Sequence, residues 1–395
     1  MKDEAIKFCG RLGVAFKEEL LPYYERALGM KKERGLAILD KERLIRLNDE
    51  YGFIREGFGT VLEASDLVAE NNDLVLYNYV IYLIIKDGVR AIENIIPTPE
   101  GVSTETDFAP AFGILYCIED AVEILKKRKL PHEIISDSLF GIGSEMLAYR
   151  DMHGRLGMRD YIGWYTYFLR GEIIRVGRLQ YQFTKFGPQV KVYMRDGGDI
   201  AIMANNRDAH KKGLFFGAEG HRDEEGKYFA ELKTEGDTVT GYRANHYGEL
   251  DPTPVTLEGY REVLSEGDNI AAIHITNGEP FHIDTVRESF RMMDEVIAKY
   301  YADLNIKAYH CYSWLINKHL RDIIGRDTNL TQLADMFELY PTCGGHHGIF
   351  EYVFKRPGST PIEELPEDTS MQRAIKKFLS EGNSFCEMAG IRLIK

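Results

Sequence analysis

The residues best suited to chemistry lie in the last third of the chain. In the segment AAIHITNGEPFHIDTVRES, an apolar run containing His274 leads into a loop with Gly278 and Glu279 and then into a helical pattern. A helix that begins directly after a strand presents backbone N–H groups that bind phosphate. Gly278 would let such a ligand approach the backbone, although the loop matches neither a P-loop nor GxGxxG. An anion site and a plain strand-to-helix turn both stay open.

A second candidate is the run AYHCYSWLIN, whose pattern predicts a strand. Strand alternation places Cys311 and Ser313 on one face and His310 on the other. A cysteine nucleophile would need a histidine base nearby, and His274 on the preceding strand is the candidate. Free cysteine is among the most buried residue types, so a buried structural Cys311 is the favoured interpretation.

The string CGGHHGIF combines Cys343 with the adjacent pair His346 and His347. Adjacent histidines point apart on an extended chain, and the sequence offers no second cluster of ligands. The five cysteines are scattered and never form a CxxC pair. We therefore predict free thiols and no metal site.

Arg178 and Gln180 in IIRVGRLQYQF have the same strand parity, which predicts a shared face. We expect them to face a cleft, where the guanidinium fork suits a carboxylate or phosphate. Gly177 would let a neighbouring backbone come close. The alternative that stays open is that Arg178 bridges the two predicted domains through an acidic partner on the helical half.

The elements that carry these residues change in type along the chain. From Met1 to about Arg155 the apolar residues recur three and four apart, which predicts a helical domain. From Glu172 onward, β-branched and aromatic runs with period two predict a meander, with RDGGD as a hairpin turn. The order then alternates between predicted strands NIAAIHIT, KAYHCYSWLI, GIFEYVFKR and SFCEMAGIRLIK and helices such as TNLTQLADMFELY. The fold class predicted is α+β, with a mixed sheet flanked by helices after the helical part.

Composition excludes several classes of function. The 395 residues include 49 Lys and Arg against 62 Asp and Glu, a net charge of −13, so we expect no nucleic-acid partner. The longest apolar run, 74–85, has 12 residues, whereas a membrane span needs about 20. The amino terminus does not read as a secretory signal, so we expect a cytoplasmic protein without a membrane partner. The sequence does not predict the oligomeric state.

Three strings together resemble a known family. VGRLQYQF is similar to IGRLQFE, HITNGEPFHIDTVRESF to HIPxGxPLxPExCxxS, and CYSWLI with TNLTQLADMF to CHSWLLxP followed by SNIxxFxxxF. The family is that of the bacterial acyltransferase-domain proteins, in which a helical N-acyltransferase amino-terminal domain precedes a GNAT-like carboxy-terminal domain. The resemblance implies domains at 1–155 and 156–395.

The resemblance also implies chemistry: transfer of an acyl group from acyl-CoA or acetyl-CoA to a small-molecule amine or a peptide, without a metal. Few residues are strictly required for direct transfer in a ternary complex. In the predicted site, His274 or Glu279 is the base, Ser313 or Tyr340 is the acid, and Cys311 is the alternative nucleophile. The predicted cofactor contacts are Thr276, Asn277, Gly278, Asp284 and Thr285. The predicted substrate contacts are Arg178, Gln180, Trp314 and Asn329.

Two alternatives to direct transfer stay open. The GNAT pyrophosphate-loop pattern Q/R-x-x-G-x-G/A is absent, and Tyr312 stands where the family has histidine. A catalytically silent ligand-binding protein with the same fold would account for these departures. The other alternative is acyl transfer through a Cys311 thioester.

Overall fold

The structure is a computed structural model that describes residues 1–276, 280–383 and 385–394. The chain divides into two compact units. The first comprises Met1–Gln182 with Ile275–Glu279, and the second comprises Phe183–His274 with Pro280–Lys395.

The first unit is built mainly from α-helices, as the apolar periodicity predicts. Asn71 caps the helix Asn72–Lys86, because its side chain accepts hydrogen bonds from the backbone N–H groups of Asp73 and Leu74. The apolar run 74–85 lies in this helix and is buried. Among the described residues no helix is long and apolar enough to cross a membrane. The helices are α1 (Lys2–Arg11), α2 (Leu21–Arg34), α3 (Lys41–Tyr51), α4 (Phe58–Ala69), α5 (Asn72–Lys86), α6 (Thr104–Asp107), α7 (Ala111–Tyr116), α8 (Ile118–Lys127), α9 (His132–His153) and α10 (Ile162–Leu169).

The first unit also contains a hairpin that the sequence pattern did not predict. We expected one extended run from Glu172, but the run folds into β1 (Ile173–Val176) and β2 (Leu179–Lys185), paired antiparallel with Val176 opposite Leu179. The two-residue turn between them contains Gly177 at φ +63°, a conformation open to glycine. Arg178 therefore lies in a turn, and its predicted place on a strand face with Gln180 is wrong.

The second unit begins with the predicted meander. The RDGGD hairpin is confirmed, because β3 and β4 pair antiparallel on either side of it. The sheets have the orders β10-β3-β4, β5-β6 and β7-β8-β9. The strands are β3 (Val190–Arg195), β4 (Ile200–Ala204), β5 (Arg207–His210), β6 (Lys227–Ala230), β7 (Lys233–Glu235), β8 (Thr238–Gly241), β9 (Val255–Glu258) and β10 (Tyr260–Leu264).

The main sheet of the second unit is mixed, as predicted, and flanked by helices. The sheet includes the carboxy-terminal end of β2, and its strand order from there is β2-β11-β12-β14-β13. Strands β11 and β12 are parallel, and the pairs β12–β14 and β13–β14 are antiparallel. Helix α11 connects the parallel pair. The elements are β11 (Asn269–Ile275), α11 (Ile283–Tyr300), β12 (Ala308–Ser313), α12 (Leu320–Ile324), α13 (Asn329–Ala334), β13 (Glu338–Tyr340), α14 (His347–Ile349), α15 (Ser370–Ser380) and β14 (Met388–Leu393).

Two predicted elements are wrong. GIFEYVFKR is helical: α14 continues as a π-helical turn over Phe350–Phe354, and Phe350 and Phe354 both enter an apolar cluster. Their spacing of four suits one face of a helix, and the aromatic composition misled the strand prediction. The predicted helix TNLTQLADMFELY ends at Ala334, so Tyr340 lies on strand β13 and not at the end of a helix.

Candidate functional site

The parallel pair β11–β12 ends where the polar residues begin. Among the described residues, its register runs from Ile270 opposite Ala308 to Ile273 opposite Cys311. Beyond this point β12 continues to Ser313 in register with β14. The end of the parallel register is therefore the place where a ligand could reach the backbone between two strands.

Register assigns the candidate side chains to faces. Ala272 lies opposite His310, so His274 and Tyr312, each two residues further on, share their face of the sheet. Cys311 lies opposite Ile273 and so faces the other side. A Cys311–His274 couple is therefore not formed by this register.

His310 and Tyr340 form a polar pair on that face. The His310 Nε2 and Tyr340 Oη atoms are 2.8 Å apart, and the ring of Phe186 packs edge-on against both side chains. Burial, with a smaller contribution from His274, lowers the pKa of His310 to about 4. Burial also raises the pKa of Tyr340. At neutral pH both groups are uncharged.

His274 has the properties of a neutral proton acceptor. Burial lowers the pKa of its imidazole to about 4, so the ring is uncharged throughout the physiological range. An uncharged imidazole retains a ring nitrogen that can accept a proton. Because an imidazole with this pKa does not keep a proton at neutral pH, His274 is suited to relay a proton to another group, directly or through water.

Cys311 and Ser313 are placed differently. Cys311 is buried, and burial raises the pKa of its thiol to about 12. The thiolate needed for nucleophilic attack is thereby disfavoured, which supports the structural interpretation of this cysteine. The Ser313 hydroxyl accepts a hydrogen bond from the Leu315 backbone N–H at 3.1 Å and ends the strand.

The amino end of α11 is capped from another element. Its first residue, Ile283, donates its backbone N–H to Oδ1 of Asn329 at 3.1 Å. Asp284 and Thr285, predicted as cofactor contacts, are the second and third residues of the helix, which follows the capping position His282. Asn329, predicted to touch substrate, joins α13 to the start of α11 through this hydrogen bond.

A cavity of about 590 Å³ lies beside this helix start, within the second unit. Its lining is mostly apolar, with Asn329 and Thr328 among the polar exceptions. Trp314 lies elsewhere, buried in the cluster that contains Phe350 and Phe354.

In the first unit, Arg178 holds the residue that follows β11. Its guanidinium donates to Thr276 Oγ1 at 2.8 Å and to the Thr276 carbonyl oxygen at 3.0 Å. Gln180 is buried close by on β2. The bidentate contact makes use of the planar guanidinium fork, which lysine lacks.

Three predicted residues, Asn277, Gly278 and Glu279, lie outside the described part of the chain. The sequence analysis missed His310 as a site residue, although its strand parity with Tyr312 was visible. Within the described residues, no three or more His, Cys, Asp or Glu side chains gather as a metal site.

Comparison with known proteins identifies the second half of the chain. Residues 173–392 match the GNAT-like C-terminal domain. The chain belongs to this family. The GNAT-like carboxy-terminal domain expected from the sequence is thereby confirmed.

Solved structures share the fold along the whole chain. An acyltransferase in complex with decanoyl-CoA and teicoplanin aligns over 100% of both chains at 17% identity and a TM-score of 0.59. A mutant acyltransferase in complex with octanoyl-CoA gives 16% identity, a TM-score of 0.58 and the same coverage. An acyltransferase in complex with CoA and 10C-teicoplanin covers 82% of this chain and 80% of its own, at 16% identity and a TM-score of 0.52. None of the curated proteins matches the sequence.

Proposed function

We propose that this GNAT-like protein transfers an acyl group from acyl-CoA to an amine acceptor. The observation that carries the proposal is the fold, which the chain shares along its full length with acyltransferases crystallised with decanoyl-CoA and octanoyl-CoA. The end of the β11–β12 register beside His274 supports it, because a thioester lying there would meet a neutral base.

In the proposed reaction the acceptor nitrogen attacks the thioester carbonyl directly. The C–N bond forms, the C–S bond breaks, and the nitrogen loses a proton while the CoA thiolate gains one. His274 is the proposed base, with Glu279 as the alternative. Tyr340 or Ser313 is the proposed acid, and burial keeps the Tyr340 hydroxyl protonated at neutral pH.

The predicted binding residues remain part of this proposal. Thr276, Asn277, Gly278, Asp284 and Thr285 are the proposed contacts to the CoA pyrophosphate, around the start of α11. Arg178, Gln180, Trp314 and Asn329 are the proposed substrate contacts. The teicoplanin and 10C-teicoplanin in two of the similar structures support a small-molecule or peptide acceptor. The domain division at residue 155 and a bacterial, cytoplasmic origin likewise stay predictions.

Mass spectrometry of the reaction mixture tests the proposal. The purified chain is incubated with octanoyl-CoA and a panel of primary amines, and we expect an N-octanoyl amide together with one free CoA per amide. The intact protein should stay unmodified during turnover. An octanoyl adduct on Cys311 would instead support transfer through a thioester, and a lack of product with every amine would support a silent binding protein.

A further inference from the structure

The glycine-rich segment 342–348, which contains the adjacent histidines, packs against the side chains of Tyr312 and Trp314. A Cβ atom on Gly344 would lie 2.5 Å from Tyr312 Oη, and one on Gly348 would lie 2.7 Å from Trp314 Cδ1. Neither glycine has a positive φ, so space and not backbone conformation demands glycine at both positions. The segment is thus shaped around these two side chains.

Glu387 completes this arrangement. Gly344 borders both side chains, because a Cβ atom on it would lie 2.5 Å from Tyr312 Oη and 3.1 Å from Glu387 Cβ, and Glu387 Oε1 lies 3.0 Å from the corresponding position at Gly348. The backbone of Glu387 is fixed on both sides, because its carbonyl accepts from Thr342 Oγ1 at 2.6 Å and its N–H donates to the Gly345 carbonyl at 3.1 Å. The backbone that carries this carboxylate is therefore held in place, as a site that selects a ligand by position requires.

Within the described parts of the chain, the charge of Glu387 is not balanced by a lysine or an arginine. The side chain is half-buried, and burial raises its pKa. The nearby charged groups are His347, which lowers that pKa, and Glu351, which raises it. Among the described residues no lysine or arginine forms an ion pair with Glu387. A cationic ligand would stabilise the ionised form of a half-buried carboxylate in this position.

The arrangement also lies next to the proposed reaction centre. Tyr312 shares a face of the sheet with His274 at the end of the β11–β12 register. Its side chain is 49% exposed, so a ligand can reach the hydroxyl and the adjoining carboxylate.

We propose that Glu387, with Tyr312, binds the protonated amino group of the acceptor, so that the enzyme selects primary amines that are cationic in solution. This inference rests on the proposed function. The bound ammonium first loses one proton to water, and the neutral nitrogen then forms the C–N bond with the thioester carbonyl as the C–S bond breaks. The second proton of the nitrogen passes by way of His274 to the departing CoA thiolate, so that the products are the amide, free CoA and one proton in water. Glu387 only binds and orients the amino group, and no group in this step is oxidised or reduced.

Steady-state kinetics with benzylamine as acceptor and octanoyl-CoA as donor test the inference. We expect Glu387→Gln to raise the KM for benzylamine about tenfold or more, the loss of one charge-assisted contact. The Kd for octanoyl-CoA, measured by calorimetry, should stay unchanged. Glu266→Gln, which neutralises an exposed carboxylate that does not act on Glu387, is the matched control and should leave both values unchanged.

Two further measurements do not depend on how well that variant folds. Tyr312→Phe should raise the benzylamine KM by a smaller factor, because the carboxylate remains. With the unmodified protein, phenethylamine, a primary amine that is cationic at neutral pH, should compete with benzylamine, whereas benzyl alcohol, a neutral molecule of similar size, should not. An unchanged benzylamine KM in a folded Glu387→Gln protein, or equal competition by benzyl alcohol, would overturn the inference while acyl transfer itself stood. Failure of the unmodified protein to acylate any amine would overturn both proposals.

Discussion

At the scale of single residues, burial sets the chemistry of the candidate site. The imidazoles of His274 and His310 are kept neutral, and the phenol of Tyr340 is kept protonated. His274 was a candidate from its place in a predicted strand, and Tyr340 only through the family resemblance. The sequence could not identify the contact between His310 and Tyr340, because a register between separate strands depends on tertiary packing that local patterns do not record.

The role of His274 as base can be tested by His274→Ala. We expect kcat for amide formation to fall about a hundredfold or more, since general-base catalysis contributes on that order. The Kd for octanoyl-CoA should change little. His246→Ala removes an exposed imidazole and is the control. Equal kcat values for the two variants would exclude His274 as the base.

Stability should depend on pH through His274 and His310. Both have pKa values near 4 in the folded protein against 6.5 as the ordinary value, so the unfolded chain binds more protons between these limits. The stabilisation that comes from keeping these two imidazoles neutral is therefore fully present above pH 6.5. The free energy of unfolding falls as the pH decreases from 6.5 toward 4. Denaturant titrations across this interval should show a shallower fall for His274→Gln than for the unmodified protein. Identical slopes would contradict the assignment.

The choice between Tyr340 and Ser313 as acid can be made with Tyr340→Phe and Ser313→Ala. Removing the Tyr340 hydroxyl breaks its hydrogen bond to His310 and should cost about 1 kcal/mol of stability. If Tyr340 is the acid, kcat should also fall about a hundredfold or more. In that case Ser313→Ala should lower the stability of the turn after β12 and leave kcat nearly unchanged. A larger kcat loss in Ser313→Ala would reverse the assignment.

At the scale of elements, predictions succeeded where one periodicity dominated and failed where two competed. The strands β11, β12 and β14 follow from their alternating apolar residues. The run Phe350–Phe354 combines strand-type composition with a helical spacing, and its burial in an apolar cluster decides for a helix. The sequence pattern did not predict the hairpin at Gly177, because a two-residue turn leaves the alternation of the flanking strands almost uninterrupted.

Arg178→Lys tests whether the contact between Arg178, in the turn after β1, and Thr276, after β11, stabilises the fold. The guanidinium makes two hydrogen bonds to Thr276, and a lysine ammonium cannot reproduce this planar geometry. We expect a loss of about 1–3 kcal/mol in the free energy of unfolding, measured by denaturant titration. Arg195→Lys, at an exposed position, should cost almost nothing. A raised acceptor KM at unchanged stability would favour the substrate-binding role instead.

At the scale of the whole molecule, the order of helical and β-rich segments was readable from the sequence. Long stretches of one periodicity give that order directly, and the strings around GRLQ and HITNGEP gave the resemblance to GNAT-like proteins. The site was less predictable. Glu387 and Gly344 are far from Tyr312 in sequence, and only the packing of β14 and the glycine-rich segment against β12 brings them together.

Binding of a CoA thioester is the central claim, and titration calorimetry of the full chain with octanoyl-CoA tests it most directly. We predict saturable 1:1 binding, with a rise in melting temperature that follows the same concentration dependence, because a ligand that binds only the folded state stabilises it by about 2.7 kcal/mol at 100 times its Kd. Free octanoate should give no heat of binding. Absence of binding and of thermal stabilisation by octanoyl-CoA, decanoyl-CoA and acetyl-CoA at millimolar concentration would contradict the account.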